Sequence, residues 1–300
     1  MNLDVTGSDV RSVMVGLTAA IRAAGIGDSA RLDAELLLGK VTGLGRVQLR
    51  VQDELELTDA QLAELQQLAE RRLAGEPVAY LLGTAWFYGR EFAVDHRVLI
   101  PRPETEGLVE LALEYLDLRS VRGLEAAPRV IDACTGSGCV AVTVALERAG
   151  AEVFATDISE DALEVAHANA AALGARVELR AGDLLDPVAE VGPVDVIVAN
   201  PPYVEGIDAA GLEGAVRDHE PHVALFVPND EEVAAFYGRL AAEAMALLAP
   251  GGLLAVEHGQ GQRELVRAAF AAAGFGSIDV RDDLAGIDRI VLGLRPVEVA

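Results

Sequence analysis

From residue 128 onward, short apolar runs alternate with longer runs of helical periodicity. Such alternation predicts a mostly parallel β-sheet covered by helices, because parallel neighbours can be joined only by a crossover. Strands are predicted at 129–133, 151–156, 176–180, 194–199, 252–257, 277–281 and 288–294, with helices at roughly 138–149, 159–172, 231–248 and 261–273. Only the turn around Asp283–Ile287 separates the last two strands. That spacing predicts an antiparallel edge pair on a seven-stranded, doubly wound α/β sheet.

The first three strands end in residues that suit a nucleoside. Val130–Ala133 runs into Cys134-Thr135-Gly136-Ser137-Gly138, a glycine loop followed by a helix. Glycines there let the backbone approach a ligand closely where the strand order reverses. The loop lacks the Gly-Lys-Ser/Thr of a phosphate-gripping P-loop, but its G-x-G-x-x-A pattern through Ala141 leaves a nicotinamide cofactor open. The second strand ends at Asp157, 19 residues beyond Gly138, where a carboxylate can accept from both ribose hydroxyls of an adenosine. Ser159 is available to cap the next helix, which leaves Asp157 for a ligand. The third strand ends at Gly182-Asp183-Leu184, with Asp183 an acceptor for an adenine amine and Leu184 a cover for its ring.

The fourth strand, Val196-Ile197-Val198-Ala199, stops at Asn200-Pro201-Pro202-Tyr203. Two prolines cannot continue a central strand, since they lack the N–H and fix φ. They offer bare carbonyls on a stiff backbone, beside the Asn200 amide oxygen and the Tyr203 ring. A planar –NH2 group fits: two acceptors take its N–H bonds and the ring covers one face. On these residues alone, adenine and a glutamine amide are equally admissible.

Residues 1–83 read as a helical bundle. Val10, Val13, Met14, Leu17 and Ile21 recur at helical spacing between Asp9 and Gly25. Asp28 or Ser29 opens a second helix with Leu32, Leu36 and Leu37, ending near Gly43. Thr58 opens a third with Leu62, Leu65, Leu68 and Leu73 before Gly75. The bundle has no catalytic signature, and is either a structural cap or a substrate-docking domain. Over 84–101 the period changes: Trp86-Phe87-Tyr88 and Phe92-Ala93-Val94 flank Gly89-Arg90 as a β-hairpin linker, extended by Val98-Leu99-Ile100. Pro101 to Glu106 then opens a helix through Leu108, Leu111 and Leu116, and 102–300 forms the remaining domain. Helix-start chemistry accounts for Glu104 and Glu106 but not for Arg102, held between two prolines.

Charge narrows the partners. The 300 residues carry a net charge of −24 and a single lysine, Lys40. Residues 1–85 hold 12 acids and 8 bases, so −20 falls on 86–300. Nucleic-acid binders usually present a basic face, and no arginine run supplies one here; stable nucleic-acid binding is not expected. No apolar run reaches the roughly 18–20 residues that span a bilayer, and the acids among the first ten residues do not suit a signal peptide. A cytoplasmic protein is expected. Cys134 and Cys139 are the two cysteines, with no zinc-ligand pattern around them and no metal site predicted.

The order of the four strand ends resembles the class I S-adenosylmethionine-dependent methyltransferases, and Asn200 to Tyr203 resembles those that methylate planar amines and amides. Phe87-Tyr88-Gly89, Arg97 through Glu106, Glu220-Pro221 and Glu257-His258-Gly259 extend the likeness to the protein-(glutamine-N5) methyltransferases of peptide chain release factors, the HemK/PrmC family. Asp33 through Leu38 and Gly75 through Tyr80 in the helical region resemble it too. The resemblance implies a Rossmann-like fold, S-adenosyl-L-methionine as methyl donor, and the Gly-Gly-Gln glutamine of a release factor as acceptor. It implies cofactor contacts from Cys134, Thr135, Gly136, Ser137, Gly138, Asp157, Asp183, Leu184 and Asn200. Asn200, Pro201, Pro202 and Tyr203 would bind the substrate, with Asn200, Pro201 and Tyr203 catalytic. A monomer with a release factor as its partner is expected.

Two positions depart from the family pattern: Cys134 stands where the loop begins with glycine, and Phe226 through Glu231 replaces a Gly-Gly-x-Asp-Gly turn. No dedicated general base is visible; His219 and Glu220 are candidates, with loop orientation the simpler role for Glu220. The alternative activity is an adenine-specific nucleic-acid methyltransferase, which would be expected to carry a basic target-recognition region. A noncatalytic adenosine-binding module would bind cofactor without transfer. A nicotinamide oxidoreductase leaves Asn200 to Tyr203 unexplained.

Overall fold

The computed structural model describes residues 7–26, 29–121, 126–204, 214–227, 232–283 and 285–297. The chain divides into two compact units: Met1–Thr84 with Glu213–His219, and Ala85–Leu212 with Glu220–Ala300.

In the first unit, α1 (Val10–Ala23), α2 (Ala30–Thr42), α3 (Arg46–Val51), α4 (Asp59–Leu73) and α5 (Val78–Leu82) enclose a core containing Leu17, Ile21, Leu37, Leu38 and Leu65. Asp9, Ser29 and Thr58 cap α1, α2 and α4 through their side chains, Thr58 in a reciprocal box with Gln61. Asp28, the other cap candidate, lies outside the described residues. Gly43 ends α2 at φ +71°. The buried face of α2 is Ala34, Leu37, Leu38 and Val41, whereas Leu32 and Leu36 are only half-buried. The helix is apolar on more than one side, so packing against α1, α4 and α5 selects the stripe. Glu35 is also buried; desolvation opposes its ionisation, but Arg46, Arg31 and Arg50 at 2.7, 3.1 and 3.2 Å hold its pKa at about 2.

The hairpin forms from β1 (Thr84–Phe87) and β2 (Arg90–Ala93). Val98-Leu99-Ile100 does not extend it. The Ile100 N–H donates instead to the Glu220 carboxylate at 3.3 Å, which removes it from strand pairing. A 3-10 turn, Pro103–Thr105, then leads into α6 (Glu106–Val121). Next come β3 (Arg129–Ala133), α7 (Cys139–Glu147), β4 (Glu152–Asp157), α8 (Glu160–Leu173), β5 (Glu178–Ala181) and β6 (Val194–Ala199). Two short helices follow: α9 (Gly214–His219), which belongs to the first unit, and α10 (His222–Leu225). The chain closes with α11 (Val233–Leu247), β7 (Leu248–Glu257), α12 (Arg263–Ala273), β8 (Gly276–Asp282) and β9 (Asp288–Leu294).

The seven-stranded sheet runs β5-β4-β3-β6-β7-β9-β8. All neighbours are parallel except β9, which is antiparallel to both β7 and β8. The last two strands pair as their short connection requires, but β9 inserts between β7 and β8 and leaves β8 at the edge. The central strands β3, β6 and β7 are buried on both faces and mainly apolar, whereas β5 and β8 at the edges are partly exposed and more polar. Val130, Val196, Val198 and Ala255 face a core with α6 and α7, while Ile131, Ile197, Leu254 and Val256 face one with α11 and α12. From β3 the chain proceeds to β4 and β5 on one side, and to β6 and β7 on the other. That reversal opens a crevice at the carboxyl ends of β3 and β6, the place where such sheets bind ligands.

Candidate active site

A cavity occupies this crevice. Among the expected site residues, Cys134, Thr135, Gly136, Ser137, Asp157, Asp183, Leu184, Asn200 and Pro202 line it. Gly138, Pro201 and Tyr203 do not appear on its wall.

The glycine loop is shaped by left-handed backbone at Cys134, Gly136 and Gly138, with φ of +59°, +55° and +78°. Two of these suit glycine; Cys134 adopts the conformation against the preference of an L side chain. The two glycines answer different demands. A Cβ on Gly136 would meet no atom within 4 Å, leaving that backbone open to a ligand, whereas one on Gly138 would lie 3.0 Å from Ala166 Cβ of α8. Gly138 is therefore required by helix packing.

Asp132 anchors the loop from beneath. Its Oδ2 accepts from Thr135 Oγ1 at 2.6 Å and from the Ala141 N–H in the first turn of α7 at 3.0 Å. Burial raises its pKa to about 7 despite those bonds. Sequence reasoning missed this role, although an acid inside an apolar strand, just before a glycine loop, was the available signal.

Asp157 ties the second strand end to the first. Oδ2 accepts from the Gly136 N–H and Oδ1 from the Ser159 N–H, both at 2.9 Å. Burial raises its pKa while these N–H groups oppose the rise. Ser159 caps α8 by accepting from the Ala162 N–H. Each Asp157 oxygen retains acceptor capacity toward the cavity. At the third strand end, Asp183 pairs with Arg239 of α11 at 2.7 Å. Leu184 is buried, has φ +42°, and accepts from Thr156 Oγ1 through its carbonyl at 2.6 Å.

At the end of β6, Asn200 Nδ2 donates to Thr105 Oγ1 at 3.1 Å. Thr105 is buried in the 3-10 turn before α6, 95 residues away. This assignment turns Asn200 Oδ1 away from Thr105. Tyr203 is secured from behind: its carbonyl accepts from Gln262 Nε2 at 2.7 Å, and Gln262 Oε1 accepts from the Gly259 N–H and Tyr237 hydroxyl. Beyond it, Val204 pairs in parallel with Phe226. Residues 228–231 of the departing 226–231 segment lie outside the described residues.

Arg102, unexplained by helix-start chemistry, is also on the wall and pairs with buried Glu220 at 2.5 Å. Burial raises the Glu220 pKa and the guanidinium opposes it. With Arg102 on one oxygen and the Ile100 N–H on the other, Glu220 fastens the 100–102 segment. His219 neighbours Gly75 in the first unit and does not line the cavity.

Comparison with known proteins decides the family. The chain is 47% identical over 260 residues to the release factor glutamine methyltransferase of Bordetella pertussis, spanning 87% of this chain and 93% of that one. The chain belongs to the release factor glutamine methyltransferase family. The enzyme of that name from Bradyrhizobium diazoefficiens is 41% identical over 290 residues, 95% of either chain. Residues 15–83 match the PrmC N-terminal domain and 112–214 the methyltransferase small domain. The hMettl16 catalytic domain in complex with MAT2A 3'UTR hairpin 6 shares the fold, with a TM-score of 0.54 and 12% identity over 81% of this chain and 84% of that one. The protein is thus a methyltransferase with the sheet expected of its class, and no described helix is long and apolar enough to cross a membrane.

Proposed function

We propose that this methyltransferase uses S-adenosyl-L-methionine to methylate the side-chain amide nitrogen of a glutamine in a peptide chain release factor. The donor set fits the cofactor: Asp157 offers carboxylate lone pairs to the cavity for the ribose hydroxyls, the Gly136 backbone is open, and Leu184 supplies an apolar wall. When bound, S-adenosyl-L-methionine supplies an electrophilic methyl on a sulfonium.

Asn200 carries the reading. Its Nδ2 is occupied by Thr105, so Oδ1 is the atom available to accept from an incoming –NH2 group. The Pro201 carbonyl is assigned the second N–H, and Tyr203 the face of the amide. An amide nitrogen is a weak nucleophile because its lone pair is delocalised. Two acceptors holding its hydrogens favour pyramidalisation and aim the lone pair, and such positioning is worth roughly 7–11 kcal/mol over a bimolecular encounter. Glu220 acts in this scheme by fastening Arg102 and Ile100. Residues 1–83 are assigned the docking of the release factor, 84–101 the linker and 102–300 the catalytic domain.

The test is to incubate the protein with methyl-labelled S-adenosylmethionine and purified release factor, then locate the label by peptide mass spectrometry. Label on the glutamine of the Gly-Gly-Gln motif is expected. Label on adenine when DNA is supplied, with none on the release factor, would select the adenine methyltransferase instead.

A further inference from the structure

Tyr203 closes the Asn-Pro-Pro-Tyr exit of β6, and the backbone there is held at two points. The Val204 N–H donates to the Leu225 carbonyl at 3.0 Å, and the Tyr203 carbonyl accepts from Gln262 Nε2 at 2.7 Å. The polarity of the Gln262 amide is unambiguous. The Gly259 N–H, at 3.1 Å, can only donate and the Tyr203 carbonyl can only accept, so Oε1 must meet the first and Nε2 the second. The Tyr237 hydroxyl, on a side chain 1% exposed, gives Oε1 a second donor at 3.0 Å. Gln262 is fixed in turn by its own backbone. Its N–H donates to the Gly259 carbonyl, and its carbonyl accepts from the Leu265 and Val266 N–H groups in the first turn of α12.

The ring is confined as well. A Cβ on Gly259 would lie 2.9 Å from Tyr203 Cδ2 and 3.0 Å from Gln262 Oε1. Gly259 does not have left-handed backbone, so the close approach of the ring and the amide is what excludes a side chain there.

We propose that Gly259 and Gln262 form a socket that sets the pitch of the Tyr203 ring, with Gln262 a positioning residue for methyl transfer. The inference rests on the reading that Tyr203 covers one face of the glutamine amide. Neither Gly259 nor Gln262 lines the cavity, so both act through Tyr203. A ring that covers a planar amide must lie parallel to it. The two prolines before Tyr203 stiffen the approach of the chain but leave the tilt of the ring to its neighbours. A misplacement of about 1 Å at a reacting centre can cost on the order of 100-fold in rate. The Glu257-His258-Gly259 segment, which lends nothing to the cofactor wall, thereby gains a role through its last residue.

Three single variants of the full-length protein test the socket, with wild type assayed on purified release factor in parallel. Calorimetry gives the S-adenosylmethionine affinity and the number of binding-competent molecules, to which kcat is normalised. Gln262→Met removes both ends of the clamp. Its kcat should fall about tenfold or more, with cofactor affinity and the release-factor KM within about twofold of wild type. Gln262→Glu keeps the shape and the bonds from Gly259 and Tyr237, and loses only the donation to Tyr203. A comparable fall in kcat is expected, which a packing role does not produce. Gly259→Ala should lower kcat by displacing the ring. It should also lower the melting temperature less when added to Tyr203→Ala, which has no ring to clash, than when added to wild type. Wild-type kcat in any of the three single variants overturns the socket, as do equal melting shifts in the two backgrounds. Absence of release-factor methylation by wild type, or unchanged kcat in Tyr203→Ala, overturns the parent reading instead.

Discussion

Asp157 Oδ2 accepts the Gly136 N–H at 2.9 Å, so the carboxylate ending β4 holds the open glycine of the loop ending β3. One side chain thereby shapes the loop and presents lone pairs to the cavity. Asp157→Ala is expected to weaken S-adenosylmethionine binding about 100-fold, since hydrogen bonds to a charged group are worth roughly 1.5–3 kcal/mol each. Asp157→Asn keeps one acceptor oxygen and should lose less. Titration calorimetry reads both, and an alanine variant within about threefold of wild type would refute the ribose assignment.

Asn200→Ala removes the side-chain acceptor and leaves the glycine loop and Asp157 in place. Turnover on release factor should drop at least about 100-fold, the scale for losing a preorganised polar group at a reacting centre. Cofactor affinity should stay nearly intact. Substantial residual methylation would show that Asn200 is not the acceptor.

Cys134 lies at φ +59°, where the family pattern has glycine. Left-handed backbone costs an L residue roughly 1–2 kcal/mol, partly offset by the greater unfolded freedom of glycine. Cys134→Gly should therefore melt above Cys134→Ala, and Cys134→Val should fall below both. Thermal unfolding of the three variants checks the order.

Gly182 has φ +149°, and a Cβ there would sit 2.4 Å from Pro187 Cγ. Gly182→Ala should destabilise by about 2 kcal/mol or more, because the proline ring is not a flexible chain end that can swing away. Adding Pro187→Ala should recover part of the loss in a double-mutant comparison by urea denaturation. Equal losses in the single and double variants would place the strain elsewhere.

Buried Asp132 has its pKa raised to about 7 from an unfolded value of 3.8. The folded state therefore binds the extra proton between those limits. Its contribution to stability is fully present below the unfolded pKa and is lost as pH rises through about 7, on the order of 4 kcal/mol. Asp132→Asn keeps an oxygen for Thr135 and Ala141 but cannot ionise. The variant should match wild type near pH 3 and exceed it by a growing margin from about pH 4 up to pH 8, in denaturant titrations without cofactor. A parallel pH dependence in both proteins would contradict the shift.

Legibility differed by element. β3, β6 and β9 lie at their predicted residues, since each is a short apolar run with an abrupt polar or proline stop. β7 begins at Leu248 rather than 252: Pro250-Gly251-Gly252 reads locally as a turn, yet Leu248 pairs with Val194 across a bulge. α3 and α5 are too short to show a helical period. Val98-Leu99-Ile100 looks like a strand, but Glu220, 120 residues from Ile100, claims its N–H.

By itself the sequence determined the order of strand and helix, the four strand ends and the kinds of group each presents, because periodicity and turn chemistry are local. It also set Asn200 beside two prolines at a strand end. Only the tertiary structure decided which lone pairs remain free. Asp132 is spent on Thr135 and Ala141, Asp183 meets Arg239, and Asn200 is oriented by Thr105, 95 residues away. Hydrogen-bond partners are chosen by proximity in space, and the sheet brings distant strand ends together after the local pattern has been written.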